Sequence, residues 1–118
     1  MTTAYSVSNE RSIDMPNVDA DLIIKRTEKH LPEGWDKDEE LHALFELGGL
    51  MNVIVLDNLN KSAFMTFYNA SSAAFEDYQN QGPRDDGKIP GWFERICDEW
   101  AELLTLMRDD PRLHSADT

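Results

Sequence analysis

The sequence predicts an all-α fold: a compact antiparallel four-helix domain behind a flexible N-terminal arm. Two observations predict it. Apolar residues recur at i, i+3, i+4 and i+7 through several long stretches. Proline and glycine fall between those stretches, where helices stop. With 41% hydrophobic residues, three Trp and five Phe, 118 residues can close a core without disulfides or metals.

Residues 1–16 carry only Tyr5, Val7, Ile13 and Met15 as scattered apolar residues, which predicts a polar arm with at most a short extended piece at Ala4–Ser8. The first helix is expected over 17–31. Asn17 offers an N-cap, Asp19 and Asp21 suit the positive end of the helix dipole, and Lys25, Arg26, Lys29 and His30 suit the negative end. Val18, Leu22 and Ile23 give its apolar face, and Pro32 and Gly34 end it.

The second helix is expected over 36–58, with Asp36 and Glu39 at capping-box spacing. Leu41, Leu44, Phe45 and Gly48 open its apolar face, which continues through Met51, Asn52, Val55 and Leu59. The alternative is an α+β fold with a small antiparallel hairpin within 50–69, because Val53, Ile54 and Val55 are β-branched. The third helix, 61–81, starts from Asn60 or Ser62 as N-cap. It carries Phe64, Phe67, Ser71, Ala74 and Tyr78 at helical spacing up to Gly82-Pro83. The fourth, 90–108, has Pro90 in its first turn and Ile96, Cys97, Trp100, Leu103 and Met107 on one face. The helical domain is thus residues 17–110, and 111–118 is a polar tail.

The net charge is −12, with 23 acids against 11 bases. Residues 31–60 hold seven acids and one base, and residues 91–118 hold seven acids and three bases. Glu94, Asp98 and Glu102 repeat at i, i+4, i+8 on the last helix, about 6 Å apart along its axis, and Asp109 continues that side. Asp36, Asp38, Glu39, Glu40 and Glu46 gather on the second helix. Carboxylates in such rows attract a basic protein surface and repel phosphate, which argues against direct binding to nucleic acid or anionic lipid. Trp35 and Trp92, at two helix starts, are candidate apolar anchors for the same partner.

Catalytic and metal chemistry find no support. Glu39-x-x-His42 has di-iron spacing but stands alone, so no metal and no cofactor are expected. Cys97 lies on an apolar face beside Asp98 and Glu99, which predicts an inert thiol. One cysteine, no basic-apolar leader and no apolar run of about 18 residues predict a cytoplasmic protein outside the membrane.

The expected function is therefore a non-enzymatic, acidic inhibitor. It would cover a basic nucleic-acid-binding surface of another protein as a DNA mimic, in the manner of phage or mobile-element proteins directed against CRISPR or restriction systems. Two other classes fit the same residues. One is an immunity or antitoxin protein capping a cognate toxin. The other is a helical ligand-binding or enzymatic domain whose pocket is lined by Phe64, Phe67, Tyr68, Phe75 and Tyr78.

Overall fold

The computed structural model describes residues 2–8, 11–51, 53–57, 59–82 and 91–114, without the side chains of 36, 47–51, 53, 92 and 114. It is α+β, not all-α. Among the described residues, three strands and five α-helices run in the order β1 (Thr2–Ser8), β2 (Arg11–Pro16), α1 (Asn17–Lys29), α2 (Glu39–Met51), β3 (Val53–Val55), α3 (Lys61–Gln81), α4 (Trp92–Arg108) and α5 (Pro111–His114). A single 3₁₀ turn, Trp35–Lys37, precedes α2.

The N-terminal segment is a β-hairpin rather than a flexible arm. β1 lies at the centre of the sheet, in the order β2-β1-β3, antiparallel to β2 and parallel to β3. The register sets Tyr5 opposite Ile13 and Ile54, and Thr3 opposite Met15. Thr3, Tyr5, Val7, Ile13, Met15 and Ile54 are all buried, while Ala4, Ser6, Ser12 and Asp14 face outward and are wholly or partly exposed. The scattered apolar residues are in fact one face of a half-buried sheet, which needs an apolar residue only at every second position.

The second correction concerns residues 36–58. The long second helix divides into α2 and β3. The branched run Val53-Ile54-Val55 takes its backbone partners from β1, and the Leu56 amide donates to the Ser6 carbonyl at 2.8 Å. The alternative reading was right that a strand lies here, but its partner is β1 rather than residues 61–69, which are helical. The helix start also moves. Asp38 is the cap of α2, accepting from the Glu40 amide at 3.0 Å and the Leu41 amide at 3.3 Å.

Helices cover the inner face of the sheet. α3 contributes Phe64, Phe67, Ala74 and Tyr78, and α4 contributes Ile96, Trp100, Leu103 and Met107 to one continuous core with Tyr5, Val7, Ile23, Leu41 and Leu56. The aromatic set proposed as a pocket therefore belongs mainly to the core, where Phe64 and Phe67 are fully buried. Ser71, also fully buried, accepts from the Trp100 indole at 2.9 Å and from the Thr27 hydroxyl at 3.2 Å, which ties α1, α3 and α4 together. On α1 the buried residues are Asp19, Ala20, Ile23 and Thr27, and Val18 points out of the core at 58% exposure.

α3 occupies 61–81 as expected, capped by Asn60, whose side chain accepts from the Ala63 amide at 2.8 Å. It ends at Gly82, whose positive φ of 72° suits glycine. Glu40 of α2 holds that cap in place, accepting from the Asn60 amide at 2.7 Å and from its Nδ2 at 3.1 Å. Asn60→Ala removes the cap and the Nδ2 bond. It is expected to lower stability by about 1 kcal/mol in urea denaturation.

Residues 111–114 form α5, which carries a clamp. Arg112, on α5, reaches back to β1 and to the connection between β3 and α3. Its Nη1 donates to the Leu56 and Leu59 carbonyls at 2.8 Å each, and its Nη2 to the Val7 carbonyl at 2.9 Å. Nε and Nη2 also form a forked pair with Asp110, at 2.8 and 2.9 Å. The guanidinium carbon lies 3.7 Å from the centre of the Phe64 ring.

Candidate protein-interaction site

Sequence-nominated residues divide into structural and surface groups. Asp38 and Glu40 are committed to helix caps, as above. Glu39 and Glu46 are exposed, and Glu46 approaches the exposed His42 at 3.3 Å. Glu94, Asp98, Glu102 and Asp109 are all exposed on α4 and at its end. Trp35 is half-buried, its ring set edge-on to Phe45 at 5.1 Å, so it is partly engaged inside the fold. The side chains of Asp36 and Trp92 lie outside the described residues. The structure thus leaves an acidic row on α4 and a second, thinner group on α2.

Sequence reasoning missed the charged cluster that joins α1 to α4. Asp19 is fully buried, and Arg95 grips both its oxygens, Nε at 2.9 Å and Nη2 at 2.8 Å. Glu99, one turn further along α4, makes a side-chain hydrogen bond to Asp19. Burial first, then that bond and the Asp19 charge, push its carboxyl up to about 8. At neutral pH the Asp19–Glu99 pair therefore holds a proton that two isolated carboxyls would have released. Glu99 Oε1 is buried and has no hydrogen-bond partner among the described residues. One signal was available: Asp19, Arg95 and Glu99 lie on helix faces that also bear apolar residues. The pairing itself spans 76 positions and leaves no local trace.

Cys97 is half-buried, and burial together with Asp98 and Glu94 pushes its thiol up, which lowers its reactivity. Among the described residues no group of three or more His, Cys, Asp or Glu is arranged to hold a metal. Among them, too, no helix is long and apolar enough to cross a membrane.

A concave feature that the sequence did not reveal lies between α1 and α2. It is a groove of about 560 Å³ over the Thr3–Ile54 end of the sheet. Ala20, Ile24 and Phe45 supply apolar lining, and Val18, Asp21 and Glu28 stand on its α1 side. Asp21 is paired with Lys25 at 2.9 Å.

No protein-family model and no curated protein sequence matches the chain. A solved structure does. It is one chain of a complex described as a CdiA-CT toxin from Burkholderia pseudomallei with its cognate CdiI immunity protein. The likeness covers 94% of this chain and 98% of that one, with a TM-score of 0.72. At 20% identity it is a likeness of fold. It embraces nearly the whole of both chains, so the two share one overall fold.

Proposed function

We propose that this chain is an immunity-type protein that binds one toxin and blocks its action. The observation that carries the reading is the whole-length fold likeness to a chain of a toxin–immunity complex. Charge favours the inhibitor's side of such a pair. A blocking protein needs a complementary surface and no reactive group of its own, and a net charge of −12 supplies that surface for a basic target. The carboxylates also divide as a binding protein would use them: Asp38, Glu40 and Asp110 hold the fold, while Glu94, Asp98 and Glu102 face solvent.

A DNA mimic and an immunity protein make different demands on the α4 row. A mimic depends on total charge. An immunity protein depends on a few desolvated anchors, with exposed charge acting mainly on the rate of encounter. Reversing Glu94, Asp98 and Glu102 to Lys is expected to slow association about tenfold and leave dissociation nearly unchanged in surface plasmon resonance. Complete loss of binding would return the account to the mimic. The primary test is a tagged pull-down from the native host, washed at low and then high salt. A single stoichiometric toxin domain that survives high salt supports the immunity reading. A nucleic-acid-binding complex released by salt contradicts it.

Glu99 motivates a second reading, in which the chain is the toxin half. A carboxyl held near 8 is in the range of a general acid. Its place in the fold favours a structural role, because it sits against Asp19, which Arg95 already grips. The two halves are told apart by expressing this chain alone, since a toxin harms its host and an immunity protein does not.

A further inference from the structure

The groove between α1 and α2 has a chemistry of its own. Residues 18, 21, 25 and 28 follow at i, i+3, i+7 and i+10, one outward stripe of α1 about 15 Å long. The stripe begins with an exposed valine and continues with two exposed acids and the lysine between them. Behind it, Ile24 and Phe45 are only half-buried, although both touch the core. A lone exposed valine is ordinary. Here, however, Val18 adjoins a concave surface that sets apolar Ala20, Ile24 and Phe45 beside charged Asp21, Lys25 and Glu28, and apolar contact joined to placed charge is how a pocket anchors a partner side chain.

We propose that this groove is the anchor site for the toxin: it receives a basic, amphipathic segment, with one apolar side chain against Ile24 and Phe45 and an Arg or Lys between Asp21 and Glu28. The proposal rests on the immunity reading and adds to it the face and the chemistry of the contact. Charge complementarity selects the occupant. Asp21 and Glu28 are two turns apart, about 10 Å along the helix, and a cation seated between them can draw on both. Lys25 partly neutralises the site by pairing with Asp21. An incoming guanidinium, which binds a carboxylate in a fork, displaces that exposed ammonium at little cost.

The test uses the toxin domain recovered with the wild-type chain and measures its affinity for two variants. Val18→Lys combined with Glu28→Lys is expected to weaken binding about a hundredfold. Both positions are exposed, so the thermal midpoint should stay near wild type, and that is checked on the same sample. Lys25→Ala is expected to tighten binding severalfold by freeing Asp21. A loss of less than tenfold in the double variant overturns the groove while leaving the immunity reading intact. Weaker binding in Lys25→Ala overturns the charge assignment, because it would place an acid of the toxin on Lys25. If the wild-type chain recovers no toxin at all, the immunity reading itself fails and the groove fails with it.

Discussion

Replacing Arg112 by alanine is expected to destabilise the protein by about 3–5 kcal/mol, the range seen when one partner of a buried ion pair is removed. The guanidinium serves three segments at once. It closes the carbonyls of Leu56 and Leu59, which lie between β3 and α3, and that of Val7, near the end of β1. Removing the side chain takes this donor from all three, and leaves the Leu56 carbonyl only the Leu59 amide at 3.2 Å. Asp110, itself buried, loses its forked partner and keeps only the backbone amide of residue 112, which donates to Oδ1. Arg112→Lys should recover little, since one ammonium cannot span three carbonyls and two carboxylate oxygens. Urea denaturation of the two variants measures both costs. Near-native stability of Arg112→Ala would show that α5 is dispensable to the fold. The same pair has an acid-side signature. The hydrogen bonds from Arg112 hold Asp110 below the usual carboxylate range, so its contribution is present at neutral pH and is lost as pH falls through that lowered value.

The second large effect runs in the opposite direction with pH. The thermal midpoint is expected to fall as pH rises from about 5 to about 8.5. Glu99 keeps its proton in the folded chain up to about 8 and would release it near 4.5 when unfolded. The folded state therefore binds the extra proton between those values. The stability due to this group is complete below the unfolded value and is lost as pH rises through the folded one. Glu99 is only half-buried, so solvent screening limits the effect to roughly 1–2 kcal/mol, or several degrees in midpoint. Glu99→Gln keeps a donor for Asp19 and removes the titration. It should flatten the curve above pH 5. A wild-type curve that is already flat there would show that Glu99 ionises normally and that Arg95 alone compensates Asp19.

What the sequence revealed and what it concealed follow from the range of the interactions. α3 was legible to its ends because its signals are local: Asn60 before it, Gly82 after it and a 3.6-residue apolar pattern between. α4 was legible for the same reason. The hairpin was not, because a sheet with one open face puts only two or three apolar residues on each strand, and Tyr5, Val7, Ile13 and Met15 look sparse when counted by helical spacing. β3 was half-legible: branching marked Val53–Val55 as a strand, but its partner was 49 positions upstream. The acidic row on α4 was found, since i, i+4 spacing is local. The groove and the clusters at Asp19 and Arg112 were hidden, because each depends on residues that meet only when the sheet and helices have packed.

The central claim is that this chain neutralises a toxin, and the most direct measurement is co-expression with the toxin domain that the pull-down recovers. The account predicts that cells expressing the toxin domain alone stop growing, that cells expressing both survive, and that the two proteins co-purify as a stable complex through high salt. Equal killing with and without this chain would contradict it, and killing by this chain alone would assign it to the other half of the pair.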